Sequence, residues 1–347
     1  MVSSVKDAAW LAWIERLVGE SEHPPRTELP RSLFYCRLDD QPDHLVPEHR
    51  LRPGPWEGSS GRPLFLNRHC FLACNGKLPD EIDADPALLD AFALQAEMIW
   101  IKDLETKVLR PFWLGPEFSR LLRGLQPGEP APSTLSPQAV RILTMAEVLV
   151  PGDHDSIRAR QWSQTVSTCG TQFRQKGYAP VGGLIHPFHI SALRRYYRNL
   201  IRTGKIQLGD DQSSRRYVAH NESVARFFHR QLTPVISAIA GEPVQPSYVY
   251  MASYQSGAIL KRHTDREQCA FSITLCVDYS PEPSRATPWP LHLHTASSVV
   301  TVFQGLGDGL LYRGRELPHA RDPLPSGHTS TSIFFHYVRA DFGGTLD

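Results

Sequence analysis

The 347-residue chain has almost no excess of either charge, because 37 Lys and Arg stand against 36 Asp and Glu and leave a formal net charge of +1. A protein that binds nucleic acid through its phosphates carries a basic surplus, so we expect no nucleic-acid partner. A long apolar run is missing as well: residues 286–307 lack acidic and basic side chains but include His, Pro, Gln and several hydroxyl residues. We therefore expect no membrane-spanning segment.

Cysteine is sparse: the chain has six, and Cys70 and Cys74 are the only close pair. So few cysteines in a chain of this length exclude a disulfide scaffold and are typical of a reducing compartment. A metal site at the close pair would need further Cys or His at matching spacing, so buried thiols are the favoured interpretation. The first residues also lack the pattern of a secretory signal, and we expect a cytoplasmic protein.

Helix signals dominate the first 160 residues. Ser4 is a candidate N-cap, and Asp85-Pro86 and Ser136-Pro137 each combine an N-cap residue with proline at the first helical position. The helix that begins at Asp85 is predicted to extend as far as Pro111. We therefore predict a first domain, residues 1–160, that is mainly helical and whose role is unknown.

The pattern changes after residue 160. Two helices, near residues 188–201 and 221–239, precede seven short runs rich in β-branched and aromatic residues and separated by turn residues. The runs are 247–254, 258–265, 269–278, 291–294, 299–303, 309–313 and 330–338. Strands without helices between them favour an antiparallel sandwich or jelly roll. The predicted fold is α+β, and this β block with its flanking helices forms a second domain, residues 161–347.

His263 and Asp265 lie two residues apart at the end of one predicted strand. Residues with this spacing project to the same face and can bind one metal ion together. The His-x-Asp triplet alone is weak evidence, since about one is expected by chance in this chain. A third ligand is available in His319, which follows another predicted strand. Two imidazoles and one carboxylate on one face of a metal leave three positions free, which suits Fe(II) and oxygen chemistry.

Four features of the sequence resemble those of a known family. The first is the motif Tyr254-x2-Gly257-x5-His263-x-Asp265, and the second is the Gly307-Asp308 turn before the distal His319. The other two are the closing Gly327 and an opening strand from Gly177. Over about residues 170–340 the chain resembles the prolyl-4-hydroxylase-like branch of the 2-oxoglutarate-dependent Fe(II) oxygenases. The resemblance implies a double-stranded β-helix, iron bound by His263, Asp265 and His319, and contact between Tyr254 and 2-oxoglutarate. It also implies Fe(II) as cofactor, with 2-oxoglutarate and O2 as cosubstrates.

The chain departs from the family at one position. Members usually have Arg or Lys about ten residues after the distal histidine, where it binds the far carboxylate of 2-oxoglutarate; here that residue is Thr329, next to His328. A guanidinium suits this role because its fork matches a carboxylate in two hydrogen bonds. Three alternatives follow: another cation binds the carboxylate, with Arg321 ranked before Arg313 and Arg266; His328 and Thr329 bind it together; or the cosubstrate is a different one.

Two other His-containing patterns have ligand spacing. His292 and His294 lie two apart in a predicted strand without a nearby carboxylate, so ordinary strand residues are the favoured interpretation. His220 and Glu222 flank Asn221, which is better explained as a helix N-cap. A ligand role for His292 or His294 would instead favour a cupin-like metal enzyme that uses no 2-oxoglutarate.

The predicted function is hydroxylation, or desaturation, of a C–H bond in a peptide, an amino-acid derivative or a natural product by an Fe(II)/2-oxoglutarate-dependent oxygenase. The large region before residue 160 favours a substrate bigger than a free metabolite. A non-catalytic jelly-roll binding protein is the alternative from another class. The oligomeric state is not indicated by the sequence.

Overall fold

The computed structural model describes residues 36–38, 62–73, 97–211 and 213–347. Its helices are α1 (Pro116–Leu122), α2 (Pro137–Met145), α3 (His154–Lys176), α4 (Pro187–Arg202) and α5 (Ser223–Ala240). Its strands are β1 (Leu64–Leu66), β2 (Cys70–Ala73), β3 (Met98–Lys102), β4 (Leu109–Trp113), β5 (Leu149–Pro151), β6 (Tyr178–Gly182), β7 (Gln207–Leu208), β8 (Arg216–His220), β9 (Val244–Tyr254), β10 (Leu260–His263), β11 (Phe271–Ser280), β12 (Leu291–His294), β13 (Val299–Val302), β14 (Asp308–Tyr312), β15 (His319–Arg321) and β16 (Thr329–Arg339).

Two antiparallel sheets form the C-terminal half. The larger has seven strands in the order β6-β14-β11-β16-β9-β8-β7, and the smaller has four in the order β10-β15-β12-β13. From β9 onwards the chain passes back and forth between the two sheets, with β12 and β13 as a pair within the smaller one, as in a jelly roll. The predicted β block is therefore confirmed, with small changes at the strand ends. Strand β15 was not predicted, because its three residues are too few to show an alternating pattern.

The two faces of the larger sheet have different partners. Along the central strand β11, Ile273 and Leu275 belong to a core that continues into α4 and α5, while Ser272 and Thr274 have the opposite orientation, towards the smaller sheet. Direct pairing with Ser272 places Tyr312 of β14 and His336 of β16 on that second face. The interior between the sheets is therefore lined partly by polar side chains.

The two predicted helices after residue 160 are present as α4 and α5, and Pro234 lies inside α5. The predicted cap of α5 was wrong by one residue: Glu222, not Asn221, is the N-cap, and its carboxylate accepts from the backbone N–H groups of Val224 and Ala225. Asn221 instead has a φ of 51°. The long helix α3 was missed, because only three of its residues are buried and its apolar periodicity is weak.

The region before residue 160 was predicted to be mainly helical, and its described part does not confirm this. Ser136 does cap α2, since its side chain accepts from the N–H of Ala139. Residues 98–111, however, were assigned to a helix and contain β3 and the start of β4, which form an antiparallel pair. The helix predicted from Ser4 and the start predicted at Asp85 lie outside the described residues.

The described N-terminal strands pack directly on the helices of the C-terminal half. Backbone groups of β4 bond to side chains there: the N–H of Leu109 donates to Gln231, and the carbonyl of Pro111 lies 2.8 Å from His189 Nε2. The ring of Trp100 in β3 contacts Phe227 edge-on at 6.4 Å. Both parts therefore share one continuous apolar core. None of the described helices is long and apolar enough to cross a membrane.

Candidate metal centre

The three predicted metal ligands converge at one edge of the smaller sheet. His263 ends β10 and His319 begins β15, and the two are direct cross-strand partners in that antiparallel pair. Asp265 follows β10 by two residues, and its backbone N–H donates to the carbonyl of Gly314 at 2.9 Å. Strand pairing thus places residues that are 56 apart in sequence side by side.

The distances within the triad fit a metal ion. Oδ1 of Asp265 lies 3.5 Å from Nε2 of His319 and 3.7 Å from Nε2 of His263. Two ligand atoms on adjacent octahedral positions, each about 2.1 Å from an ion, are about 3 Å apart. The site therefore needs to contract by only about half an ångström to hold one ion.

Backbone carbonyls fix both imidazoles in the orientation that a metal requires. Nδ1 of His263 lies 2.8 Å from the carbonyl of Lys261, and Nδ1 of His319 lies 3.0 Å from the carbonyl of Leu317. A carbonyl can only accept, so each Nδ1 carries the proton and each Nε2 presents its lone pair to the centre. Burial lowers the pKa of His319, which favours the neutral form that binds metal.

Two polar residues of the larger sheet support the carboxylate of Asp265. The hydroxyl of Ser272 donates to Oδ2 at 2.8 Å and lies 3.0 Å from Nδ1 of His336. Because the hydroxyl proton is used by Asp265, His336 must donate to Ser272, and burial lowers the pKa of His336 to about 4, so its ring is neutral. These hydrogen bonds engage Oδ2 of Asp265 and leave its Oδ1 free to bind the metal.

Gly314 is required for the same support. A Cβ at this position would overlap Oδ2 of Asp265 and lie 2.5 Å from the hydroxyl of Ser272 and 2.8 Å from the carbonyl of Cys269. Any larger residue would push the carboxylate out of place.

Cys269 also lies close to Asp265 and His336, so these three residues form a second group with metal-ligand geometry. Burial raises the pKa of the Cys269 thiol to about 12, and its sulfur lies 3.1 Å from the hydroxyl of Tyr248. A protonated thiol is a poor ligand. We therefore assign this group to the support of Asp265.

The site is closed on one side and open on the other. The side chain of His319 is 3% exposed and that of Asp265 is 12% exposed, whereas that of His263 is 37% exposed. Solvent and ligands therefore reach the centre from the side of His263.

Arg321 lies two residues beyond His319 on β15, so both side chains point between the sheets. It is buried, and its guanidinium donates to the carbonyl of Trp289 at 2.6 Å and to Oε1 of Gln304 at 3.1 Å. Among the described residues it forms no ion pair with a carboxylate, and burial lowers its pKa. A buried guanidinium without a counterion in the described part of the chain is suited to bind an anion.

A second polar group accompanies Arg321. Gln304 is held by two bonds from its amide to the carbonyls of Thr274 and Asp308, so its Oε1 is oriented towards the guanidinium. The hydroxyl of Thr274 is buried on the inner face and has no hydrogen-bond partner in the described ranges. It is therefore available to a ligand in this pocket.

Tyr254 ends β9 and is buried. Its hydroxyl accepts from Arg216 at 3.3 Å, and its ring meets Trp289 edge-on at 5.1 Å. The guanidinium of Arg321 lies 4.7 Å above the same Trp289 ring. Tyr254 and Arg321 are thus brought together around one indole.

Thr329 occupies the position where members of the family usually have the carboxylate-binding Arg or Lys. It begins β16 opposite Ser280. Strand alternation turns its side chain to the same face as Thr331, which bonds to Ser253, and to the opposite face from Ser330. His328 lies 2.8 Å from the hydroxyl of Tyr279 through Nδ1.

The other cations considered have their own partners. Arg313 pairs with Glu316 at 3.2 Å, and Arg266 lies 4.8 Å above the ring of Tyr248. Of the three arginines considered, only Arg321 is buried.

The remaining His patterns do not join the triad. His292 lies on the outer face of the smaller sheet, 3.2 Å from both Thr301 and Asp322, and His294 has the same strand parity. His220 pairs with Asp347 at 3.2 Å. His292 and His294 therefore do not supply the additional ligand that a cupin-like metal enzyme would need.

The comparisons with known proteins concern the fold. No family model and no curated protein matches the chain. Similar solved structures include the non-heme alpha-ketoglutarate-dependent epimerase SnoN from nogalamycin biosynthesis (13% identity, TM-score 0.43, covering 51% of this chain and 84% of that one). A Pseudomonas putida prolyl-4-hydroxylase is also similar (16%, 0.40, 50% and 99%), as is AviO1 from Streptomyces viridochromogenes (20%, 0.41, 52% and 97%).

Other similar solved structures are a prolyl hydroxylase from Trichoplax adhaerens in complex with a hypoxia inducible factor peptide (12%, 0.44, 52% and 92%) and an oxidoreductase of the 2OG-Fe(II) oxygenase family from Burkholderia pseudomallei (10%, 0.41, 52% and 92%). The reactions of these proteins differ, since an epimerase and a carbocyclase are among them.

Proposed function

We propose that this chain is a non-haem Fe(II), 2-oxoglutarate-dependent oxygenase that hydroxylates, or desaturates, a C–H bond. The observation that carries the proposal is the convergence of Nε2 of His263, Oδ1 of Asp265 and Nε2 of His319 between the sheets of a jelly roll. Two neutral imidazoles and one carboxylate hold an Fe(II) ion and leave three positions for other ligands. With 2-oxoglutarate and O2 bound, iron supplies the oxidising power that breaks a C–H bond.

The chain's own residues then have three tasks. His263, Asp265 and His319 hold the ion, and Ser272 keeps the carboxylate turned towards it. Arg321 holds the far carboxylate of 2-oxoglutarate, assisted by the free hydroxyl of Thr274. This assignment explains why a buried guanidinium lies two residues from a metal ligand without a counterion in the described part of the chain.

Tyr254 helps to shape the same pocket. Its ring and that of Trp289 would supply apolar contacts to a bound 2-oxoglutarate, and the bond from Arg216 holds its hydroxyl in place. The substrate approaches from the exposed side of His263, and we propose a peptide, an amino-acid derivative or a natural product in that position. Cytoplasmic location and the division at residue 160 remain predictions.

Metal binding is the first test. Anaerobic protein should bind about one Fe(II) per chain, and Asp265→Ala should lose most of that iron, because the remaining two imidazoles supply no charge. Asp322→Ala is the matched control, since Asp322 is a largely exposed carboxylate near the same sheet and pairs only with His292 in the described residues. Equal iron content in wild type and Asp265→Ala would reject the site.

The cosubstrate is the second test. Anaerobic Fe(II) protein mixed with 2-oxoglutarate should develop a visible charge-transfer band, and admission of air should produce slow formation of succinate. Iron binding without either signal would favour the two alternatives, a cupin-like metal enzyme or a jelly-roll binding protein.

A further inference from the structure

Tyr312 lies directly beside the triad but belongs to none of the tasks assigned above. It ends β14 and pairs with Ser272 of β11 and with Tyr178 of β6. Its side chain is 2% exposed, and its ring meets that of His319 edge-on with centroids 4.9 Å apart. A buried phenol next to a metal ligand needs a partner for its hydroxyl, since an unsatisfied buried hydroxyl is destabilising.

The hydroxyl of Tyr312 has Nε2 of His319 as its partner, and this is the atom that would bind the metal. The phenol oxygen lies 3.5 Å from Nε2 of His319, and the structure gives it no other hydrogen bond in the described residues. Nδ1 of His319 carries the proton, as its contact with the carbonyl of Leu317 requires, so Tyr312 is the donor. At 3.5 Å the bond is long and therefore weak.

Metal binding removes this acceptor, because the lone pair of Nε2 is then used by the ion. A tyrosine hydroxyl carries its proton at neutral pH, so Tyr312 remains a donor. A ligand at the open metal position beside His319 would offer acceptor atoms in place of that lone pair. Hydrogen bonds from a neutral donor to a charged ligand in a buried site are stronger than those between neutral groups.

We propose that the hydroxyl of Tyr312 donates a hydrogen bond to the ligand bound at the open metal position next to His319. Tyr312 is therefore a further binding residue for the metal-chelating end of 2-oxoglutarate, opposite to Arg321, which binds the far end. This inference rests on the proposed metal site, and it extends the set of ligand-binding residues to a strand, β14, that supplies no metal ligand.

The test compares Tyr312→Phe with wild type, each loaded with Mn(II) or Co(II) as redox-silent metals. The variant should keep its metal affinity, measured by electron paramagnetic resonance of Mn(II), but should bind 2-oxoglutarate about tenfold more weakly, the loss of roughly one charge-assisted bond. In the anaerobic Fe(II) protein the charge-transfer band of bound 2-oxoglutarate should also shift. Tyr178→Phe is the control, because it removes a phenol hydroxyl from the neighbouring strand position.

A second probe separates this proposal from the proposed function. Azide needs an open metal position but no pocket at Arg321, and its binding to the Co(II) protein is visible in the absorption spectrum. Tyr312→Phe should weaken azide about tenfold even if 2-oxoglutarate proves not to be the cosubstrate. Unchanged affinity for both azide and 2-oxoglutarate would overturn the proposal. A tenfold loss of metal in Tyr312→Phe, with a phenolate absorption band in the wild-type Fe(III) protein, would also overturn it, because the phenol would then be a metal ligand.

Discussion

Arg321 gives the sharpest test of the cosubstrate pocket. The guanidinium is buried, and the described residues use two of its five N–H donors, one on Trp289 and one on Gln304. Three donors therefore remain for the far carboxylate of 2-oxoglutarate. Removing one partner of a buried ion pair costs about 3–5 kcal/mol, because the other charge is left without compensation.

Arg321→Ala should accordingly raise the KM for 2-oxoglutarate by at least tenfold, and by several hundredfold if no other group replaces the charge. Iron content should change little, since the hydrogen bonds of Arg321 within the described residues go to Trp289 and Gln304 and not to the metal ligands. Arg321→Lys should recover part of the affinity, because a point charge restores attraction but not the forked geometry. The assay is the initial rate of succinate formation at varied 2-oxoglutarate, with titration of the anaerobic charge-transfer band as an equilibrium check.

Arg313→Ala is the matched control for that experiment. Arg313 lies six residues before His319 and next to Gly314, but its guanidinium pairs with Glu316 and lies 5.5 Å above the ring of Phe173. It should leave the KM unchanged. If Arg321→Ala folds, binds iron and keeps a KM within about twofold of wild type, the far carboxylate is held elsewhere and the assignment of this pocket is wrong.

Four further predictions concern the support of the site, the cosubstrate and the stability of the fold. Ser272→Ala should lower iron affinity by about 10–100-fold, measured by chelator competition, because Asp265 loses the bond that orients it. Gly314→Ala should lose iron more severely and also lower the melting temperature, because the added methyl group meets the carbonyl of Cys269 as well as Asp265. Thr329→Ala should alter the KM for 2-oxoglutarate by less than threefold. Unfolding in urea should show stability falling from pH 6.5 towards pH 4, because burial lowers the pKa of three histidines to about 3 and only the unfolded chain takes up these protons. The three are His186, His189 and His229, and each contributes about 1.4 kcal/mol per pH unit to the slope of the unfolding free energy.

The convergence of His263, Asp265 and His319 could be predicted from the His-x-Asp spacing and from the turn motif that marks the distal histidine, although Asp265 lies just beyond β10 rather than within it. The residues that support this triad could not. Ser272 and His336 are 64 residues apart and meet only because β11 and β16 pair in one register. Nothing local in the sequence distinguishes this serine from others in strands.

Burial is the second property that sequence patterns did not reveal. Arg321 was ranked first by its position beside His319, but only the packing of Trp289 and Gln304 shows that it is enclosed. Residues 98–111 were placed in a helix because the start signal at Asp85-Pro86 is followed by apolar residues at helical spacing as far as Ile99. In the folded chain most of these residues form strands, because β3 pairs with β4 and Trp100 packs against Phe227.

The position of β10 at the edge of the smaller sheet has a consequence for local unfolding. Only two register pairs connect it to β15, Leu260 with Arg321 and His263 with His319, and the register shifts between them. A metal ion held by both histidines would join the two strands at the second pair. The free energy of metal binding would then add to the free energy needed to separate the strands. Amide hydrogens of β10 should therefore exchange with solvent more slowly as metal concentration rises, while those in the centre of the larger sheet keep their rates.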